Sequence, residues 1–219
     1  AAVAEAFRRI CAVEVGDGLR FDLESIMTQE IREEQDFGGV RVGVVAYLAH
    51  VPITVRIDVG FGDAITPEAS RRSFPTLLGH PAANILIYPP ETVVAEKVEA
   101  MCKIGLVNSR MKDYADIIAI SRRFEIGGDV LAQAFRATFE RRGTRMPTDV
   151  PIGLSREFGA GAEKASQWSG FLKRMRVVDM PASLADAVAS VEAFTLPALH
   201  AAAGVRPSPG RWIPGVGWR

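Results

Sequence analysis

Cysteine and histidine are scarce in this 219-residue chain: it holds Cys11, Cys102, His50, His80 and His200 and no others. Two cysteines without metal-ligand spacing exclude a disulfide framework and a zinc finger, and they fit a reducing cytoplasm as ordinary core residues. The histidines are scattered and read as loop or helix-surface residues. No apolar run approaches the roughly 18 residues of a membrane-spanning helix, so no membrane partner is expected. The first residues carry Glu5, Arg8 and Arg9 in a helical pattern, with none of the extended apolar core of a signal peptide. Net charge is also lacking, because 26 Lys and Arg balance 26 Asp and Glu.

That balance hides a polarity. Residues 1–100 hold nine basic against fifteen acidic residues, a net of −6, and residues 101–219 hold seventeen against eleven, a net of +6. The basic half contains the clusters Arg122-Arg123, Arg141-Arg142 with Arg145, and Lys173-Arg174 with Arg176. Such groupings suit a polyanionic partner, or else form the solvated faces of helices.

The apolar pattern predicts strands first and helices second, hence an α+β fold. A helix over residues 2–11 leads through an Asp17-Gly18 turn to a strand over 19–26. Strands over 40–48 and 53–59 form a hairpin across Ala49 to Pro52, and 85–88 is a short last strand. Residues 62–83 read as a long loop, and the helical period takes over from Pro89. Leu131, Phe135 and Phe139 stripe one helix ended by Gly143. Trp168, Phe171, Leu172 and Met175 stripe another, and Leu184, Val188, Val191 and Phe194 stripe a third capped by Ser183. The expected division is a sheet domain over 1–88, a helical domain over 89–200 and a Pro/Gly/Trp-rich tail over 201–219. Residues 207–219 read as disordered or as a strip that docks a partner, with disorder the expectation.

Residues 91–116 carry the chemistry. Val94, Lys97, Met101 and Ile104 recur at helical spacing, which puts an ammonium on an apolar stripe. There it must find an anion or lose its proton. Asn108-Ser109 are expected to cap a second helix in which Asp113 and Asp116 share a face. Lys97 then either salt-bridges Asp113 or Asp116 or contacts a phosphate. Upstream, Ile53, Val55, Ile57 and Val59 alternate with Thr54, Arg56 and Asp58 before Gly60-Phe61-Gly62-Asp63. Asp58 is either a surface acid on an open sheet face or a metal ligand beside the lysine and the aspartates.

The stretches Ile57-Asp58-Val59-Gly60-Phe61-Gly62-Asp63, Glu91 to Met101 and Asn108-Ser109-Arg110-Met111-Lys112-Asp113-Tyr114-Ala115-Asp116, in that order, resemble the AbiEii/AbiGii nucleotidyltransferase toxins of bacterial toxin–antitoxin and phage-abortive systems. The likeness continues through residues 137–144 and 167–172. It implies a polymerase-β-like nucleotidyltransferase core joined to a helical domain, in a cytoplasmic bacterial protein with a cognate antitoxin. It also implies Mg²⁺-dependent transfer of a nucleotide from an NTP to an acceptor, RNA and specifically tRNA being the acceptor expected. By the same resemblance Asp58, Lys97 and Asp113 are catalytic, Asp58 holding the metal and Lys97 the NTP phosphates. Arg110, Lys112 and Asp116 join Lys97 in nucleotide binding; the basic cluster of Arg141, Arg142 and Arg145, read from its charge, supplies the expected RNA contacts. The family also carries a Gly-Ser element followed by an Asp-x-Asp pair that supplies the main metal ligands, N-terminal to these motifs. This chain has no Asp-x-Asp. It is therefore expected to be an N-terminally truncated portion of a longer protein. The competing reading is a non-catalytic RNA- or protein-binding module in which Lys97–Asp113 is only structural.

Overall fold

The computed structural model describes residues 2–31, 38–77, 79–176 and 179–219. The chain divides into two compact units, Ala1–Asp63 and Ala64–Arg219. The strand expected over 85–88 lies in the second of these units, where residues 83–87 pair with residues 70–74.

The first unit is one helix on a three-stranded antiparallel sheet. Helix α1 (Ala2–Cys11) places Val3, Ala4, Phe7 and Cys11 against strands β1 (Leu19–Ile31), β2 (Gly39–Leu48) and β3 (Val51–Gly60), in the order β1-β2-β3. Ile26, Val42 and Val44 form its small core, with Val55, Ile57 and Val59 packed on it as their alternation predicts. Strand β1 runs five residues beyond the expected Ile26. A bulge between Asp22 and Met27 breaks the period there, so the alternation that marks the first half cannot be followed into the second. The Ser25 hydroxyl bridges the gap, donating to the Asp22 carbonyl (2.6 Å) and accepting from the Val45 N–H (2.9 Å).

The second unit begins with a two-stranded hairpin, β4 (Ser70–Phe74) and β5 (Ala83–Ile87). Strand β4 lies inside the expected 62–83 loop, of which Leu78 is outside the described residues. Its sequence Ser-Arg-Arg-Ser-Phe is exposed throughout and has no apolar period to reveal it. Helices α2 (Pro90–Ile104), α3 (Met111–Ser121), α4 (Gly128–Arg141), α5 (Arg156–Ala160), α6 (Ala162–Met175) and α7 (Leu184–Ala202) then enclose the main core. The predicted stripes face it: Leu131, Phe135, Phe139, Trp168, Phe171, Leu184, Val188, Val191 and Phe194 are buried, whereas Met175 at the end of α6 is exposed. Ser183 caps α7 by accepting from the Asp186 N–H. Gly143 takes a positive φ of 59° just past α4, as a helix-ending glycine should.

The 207–219 tail is ordered, contrary to expectation. Strands β7 (Arg211–Ile213) and β8 (Gly217–Trp218) form a hairpin that joins the short β6 (Ile126–Gly127) in one sheet. Trp212 and Trp218 pack on Phe194, with ring centroids 4.8 and 6.1 Å away. The indole donors explain why two tryptophans sit there. Pro197 interrupts α7 and has no N–H to offer the carbonyl of Ala193, four residues earlier. The Trp218 indole donates to that carbonyl and to that of Phe194 (3.2 Å each), and Trp212 donates to the Ser121 carbonyl at the end of α3 (2.7 Å). The tail thus satisfies backbone groups that the helices leave open.

Candidate active site

Helix α2 starts with proline at its first position and Glu91 in its first turn, which suit the free N–H groups and the dipole there. It buries Val94, Val98 and Met101 and keeps Lys97 at the margin of the core, its side chain 19% exposed. Helix α3 buries Met111, Tyr114, Ile117 and Ile118, which turns Asp113 and Asp116 toward α2. The three side chains meet: Lys97 Nζ lies 2.5 Å from Asp113 Oδ1 and 2.9 Å from Asp116 Oδ2. Lys112 bonds the same Asp116 oxygen at 2.5 Å. The motif helices therefore build a four-membered cluster of two ammonium and two carboxylate groups, neutral as a whole.

Its electrostatics follow from that geometry. Burial alone would lower the pKa of Lys97, but hydrogen bonds and charge from Asp113 and Asp116 outweigh it and hold the ammonium above its ordinary value. Burial likewise would raise Asp116, and the bonds from Lys112 and Lys97 pull it below the usual carboxylate range. Lys97 is thus a fixed cation rather than a proton donor or acceptor near neutral pH.

Helix α3 begins one residue later than its predicted cap. Asn108 still serves the turn, its Oδ1 accepting from the Arg110 N–H at 2.9 Å, but Arg110 occupies the cap position and supplies no side-chain bond. Arg110 and Lys112 are exposed and line a cleft between the start of α3 and α6.

Asp58 belongs to the first unit. Both of its oxygens are taken by a fork from Arg41, across the β2–β3 register, at 2.7 and 2.8 Å. That hydrogen-bonded guanidinium lowers its pKa. The described carboxylates do not fit Mg²⁺: Asp58 is engaged by Arg41, Asp113 and Asp116 by lysines, and no group of three or more His, Cys, Asp or Glu able to hold a metal occurs among the described residues. A hard dication needs several free oxygens.

The expected RNA contacts separate. Arg141 and Arg145 are exposed, whereas Arg142 turns inward and reaches Glu99 Oε2 at 2.9 Å and Glu96 at 3.7 Å. Glu99 is 1% exposed and also accepts from the Thr144 hydroxyl. Arg142 is therefore a structural anchor between α2 and the end of α4. Glu99 is the residue that sequence reasoning missed. It lies three residues before Cys102 and four after Ala95, on a stripe as apolar as the one that drew attention to Lys97.

The comparisons with known proteins agree with this motif order. The family model described as "Nucleotidyl transferase AbiEii toxin, Type IV TA system" matches residues 1–193, nearly the whole chain. No curated protein matches significantly. No helix among the described residues is long and apolar enough to cross a membrane. With the match extending through both units and all three quoted motifs, the chain belongs to the AbiEii family of nucleotidyltransferase toxins of type IV toxin–antitoxin systems.

Proposed function

We propose that this protein is the toxin of a bacterial pair, transferring a nucleotide from an NTP to an RNA acceptor, tRNA among its candidates, in the cytoplasm and under control of a cognate antitoxin. The observation that supports this most directly is the joining of Lys97 to Asp113 and Asp116, because it turns two motifs sixteen residues apart into one site. Lys97 supplies a permanent cation for the NTP phosphates, and Asp113 orients it. Mg²⁺ belongs to this chemistry as the family's expected ion, supplying charge neutralisation at the phosphates. Its ligands are not found among the described carboxylates, and this chain has no Asp-x-Asp.

The test follows. A form of the protein that includes a Gly-Ser and Asp-x-Asp element, given labelled NTP, tRNA and Mg²⁺, should label the RNA and lose that activity on Lys97→Met. The present chain alone should give no label. Robust Mg²⁺-dependent labelling by the present chain would show that its own carboxylates suffice. The rival, a non-catalytic RNA- or protein-binding module, draws on the same ion pairs: a form with Asp-x-Asp that binds RNA and never labels it, with Lys97→Met affecting only stability, would favour that module.

A further inference from the structure

We infer that the cleft between the start of α3 and the face of α6 is a phosphate-binding site. It has a volume of about 510 Å³ and is walled by Ser109, Arg110 and Lys112 on one side and Ser166, Gln167 and Arg174 on the other, over a floor that includes Phe171. Its lining holds three cations and two hydroxyls and no carboxylate. Lys112 shares its charge with Asp116, but Arg110 and Arg174 have no ion-pair partner among the described residues. Two uncommitted guanidiniums from different helices facing one cleft repel each other, an arrangement that an anion between them would relieve.

Two features of the backbone agree. Arg110, the residue at the head of α3, makes no side-chain cap, so its guanidinium is not spent on the helix end. The walls are also held together: Lys164 of α6 donates to the Asn108 carbonyl at 3.0 Å, and Trp168 and Phe171 anchor α6 in the core. The cleft is therefore shaped before a ligand arrives. Through Lys112 and Asp116 the cleft adjoins the Lys97 cluster.

The bound phosphate comes either from the backbone of an RNA strand or from a triphosphate. Its place in catalysis rests on the nucleotidyl-transfer reading, but binding needs no turnover, so the two stand or fall separately. The experiment measures binding of a fluorescein-labelled 12-nucleotide RNA by anisotropy and of tripolyphosphate by calorimetry. The proteins are the unaltered chain, Arg174→Gln, Arg110→Gln, Arg174→Lys and, as a control for net charge, Arg206→Gln. Each glutamine variant in the cleft should weaken a phosphate probe roughly tenfold beyond the control. If the strand is the source, the RNA alone weakens, and the slope of log K against log salt flattens by about 0.7 per lost contact. If the triphosphate is the source, tripolyphosphate alone weakens. Arg174→Lys should retain much of the affinity, and it carries the comparison should either glutamine variant lower the melting temperature. Equal binding of both probes by all variants, or no binding of either probe by the unaltered chain, would overturn the assignment. Intact binding with no transfer in any form would leave the cleft standing and remove the catalytic reading.

Discussion

Replacing Arg142 with methionine isolates the role of a residue that pattern alone assigns to RNA. Methionine keeps the apolar stem and deletes the charge, leaving Glu99, 1% exposed, with the Thr144 hydroxyl as its remaining hydrogen-bond partner among the described residues. A buried carboxylate stranded in this way costs about 3–5 kcal/mol. The expected loss is about 3 kcal/mol at pH 7. For a unit of this size that corresponds to roughly 10 °C in melting temperature. Chemical denaturation of the unaltered chain and of Arg142→Met reads this directly, and Glu99→Gln in the Arg142→Met background should restore part of the loss. Losses under about 1 kcal/mol, or no recovery on adding Glu99→Gln, would refute the claim that Arg142 exists to neutralise Glu99.

Lys97→Met and Asp113→Asn should be non-additive in a double-mutant cycle, with a coupling of about 1–2 kcal/mol, because each removes the other's partner at 2.5 Å; additive losses would show the contact to be incidental. Asp116 has a folded pKa below its ordinary 3.8, so its contribution is present above that value and lost as pH falls through the folded pKa. Lys97 is raised above 10.5, so its contribution is complete below that value and lost as pH rises through the folded pKa. The share of stability owed to this pair should be constant between these limits, and Lys97→Met should lessen the fall on the alkaline side, to which the buried Cys102 and Tyr114, both raised, also contribute. Burial and the charge of Glu99 push the Cys102 thiol up to about 12, so iodoacetamide at pH 8 should leave it unmodified until the fold is melted; rapid native-state alkylation would contradict its burial. Trp212→Phe should cost about 1 kcal/mol by orphaning the Ser121 carbonyl, seen as a lower denaturation midpoint.

Legibility in the sequence tracks how a residue's role is encoded. The helices of the second unit were readable because one face of each is apolar at helical spacing, and the β2–β3 hairpin because it alternates without interruption. Strand β4 was not readable, since backbone pairing alone defines it and all five of its side chains are exposed. The ordered tail was missed for another reason. Its turns and glycines look like disorder, and the carbonyls that Trp212 and Trp218 satisfy lie some 90 and 25 residues away in the chain. Among site residues, Lys97 with Asp113 and Asp116 was visible as a charge on an apolar stripe beside an i, i+3 acid pair. The Arg41 fork on Asp58 was not, because it depends on the β2–β3 register, and Arg142 was grouped with its neighbours although helix geometry sends it to the opposite side.

On the nucleotidyl-transfer reading, the pairing around Lys97 leaves one of its two acids able to let go. Asp116 holds a second cation, Lys112, at 2.5 Å, so it stays paired if Lys97 turns away; among the described residues Asp113 has Lys97 as its one ion-pair partner. A phosphate arriving at Lys97 would then replace Asp116 in its coordination and leave the Asp113 bond in place, which keeps the ammonium aimed while freeing a donor. A lysine with one carboxylate would have to strand that partner to meet a phosphate, and a lysine with none would have to be held in the apolar stripe unpaired. The second acid, together with its own lysine, is what makes a fixed cation and an exchangeable one compatible in a single side chain.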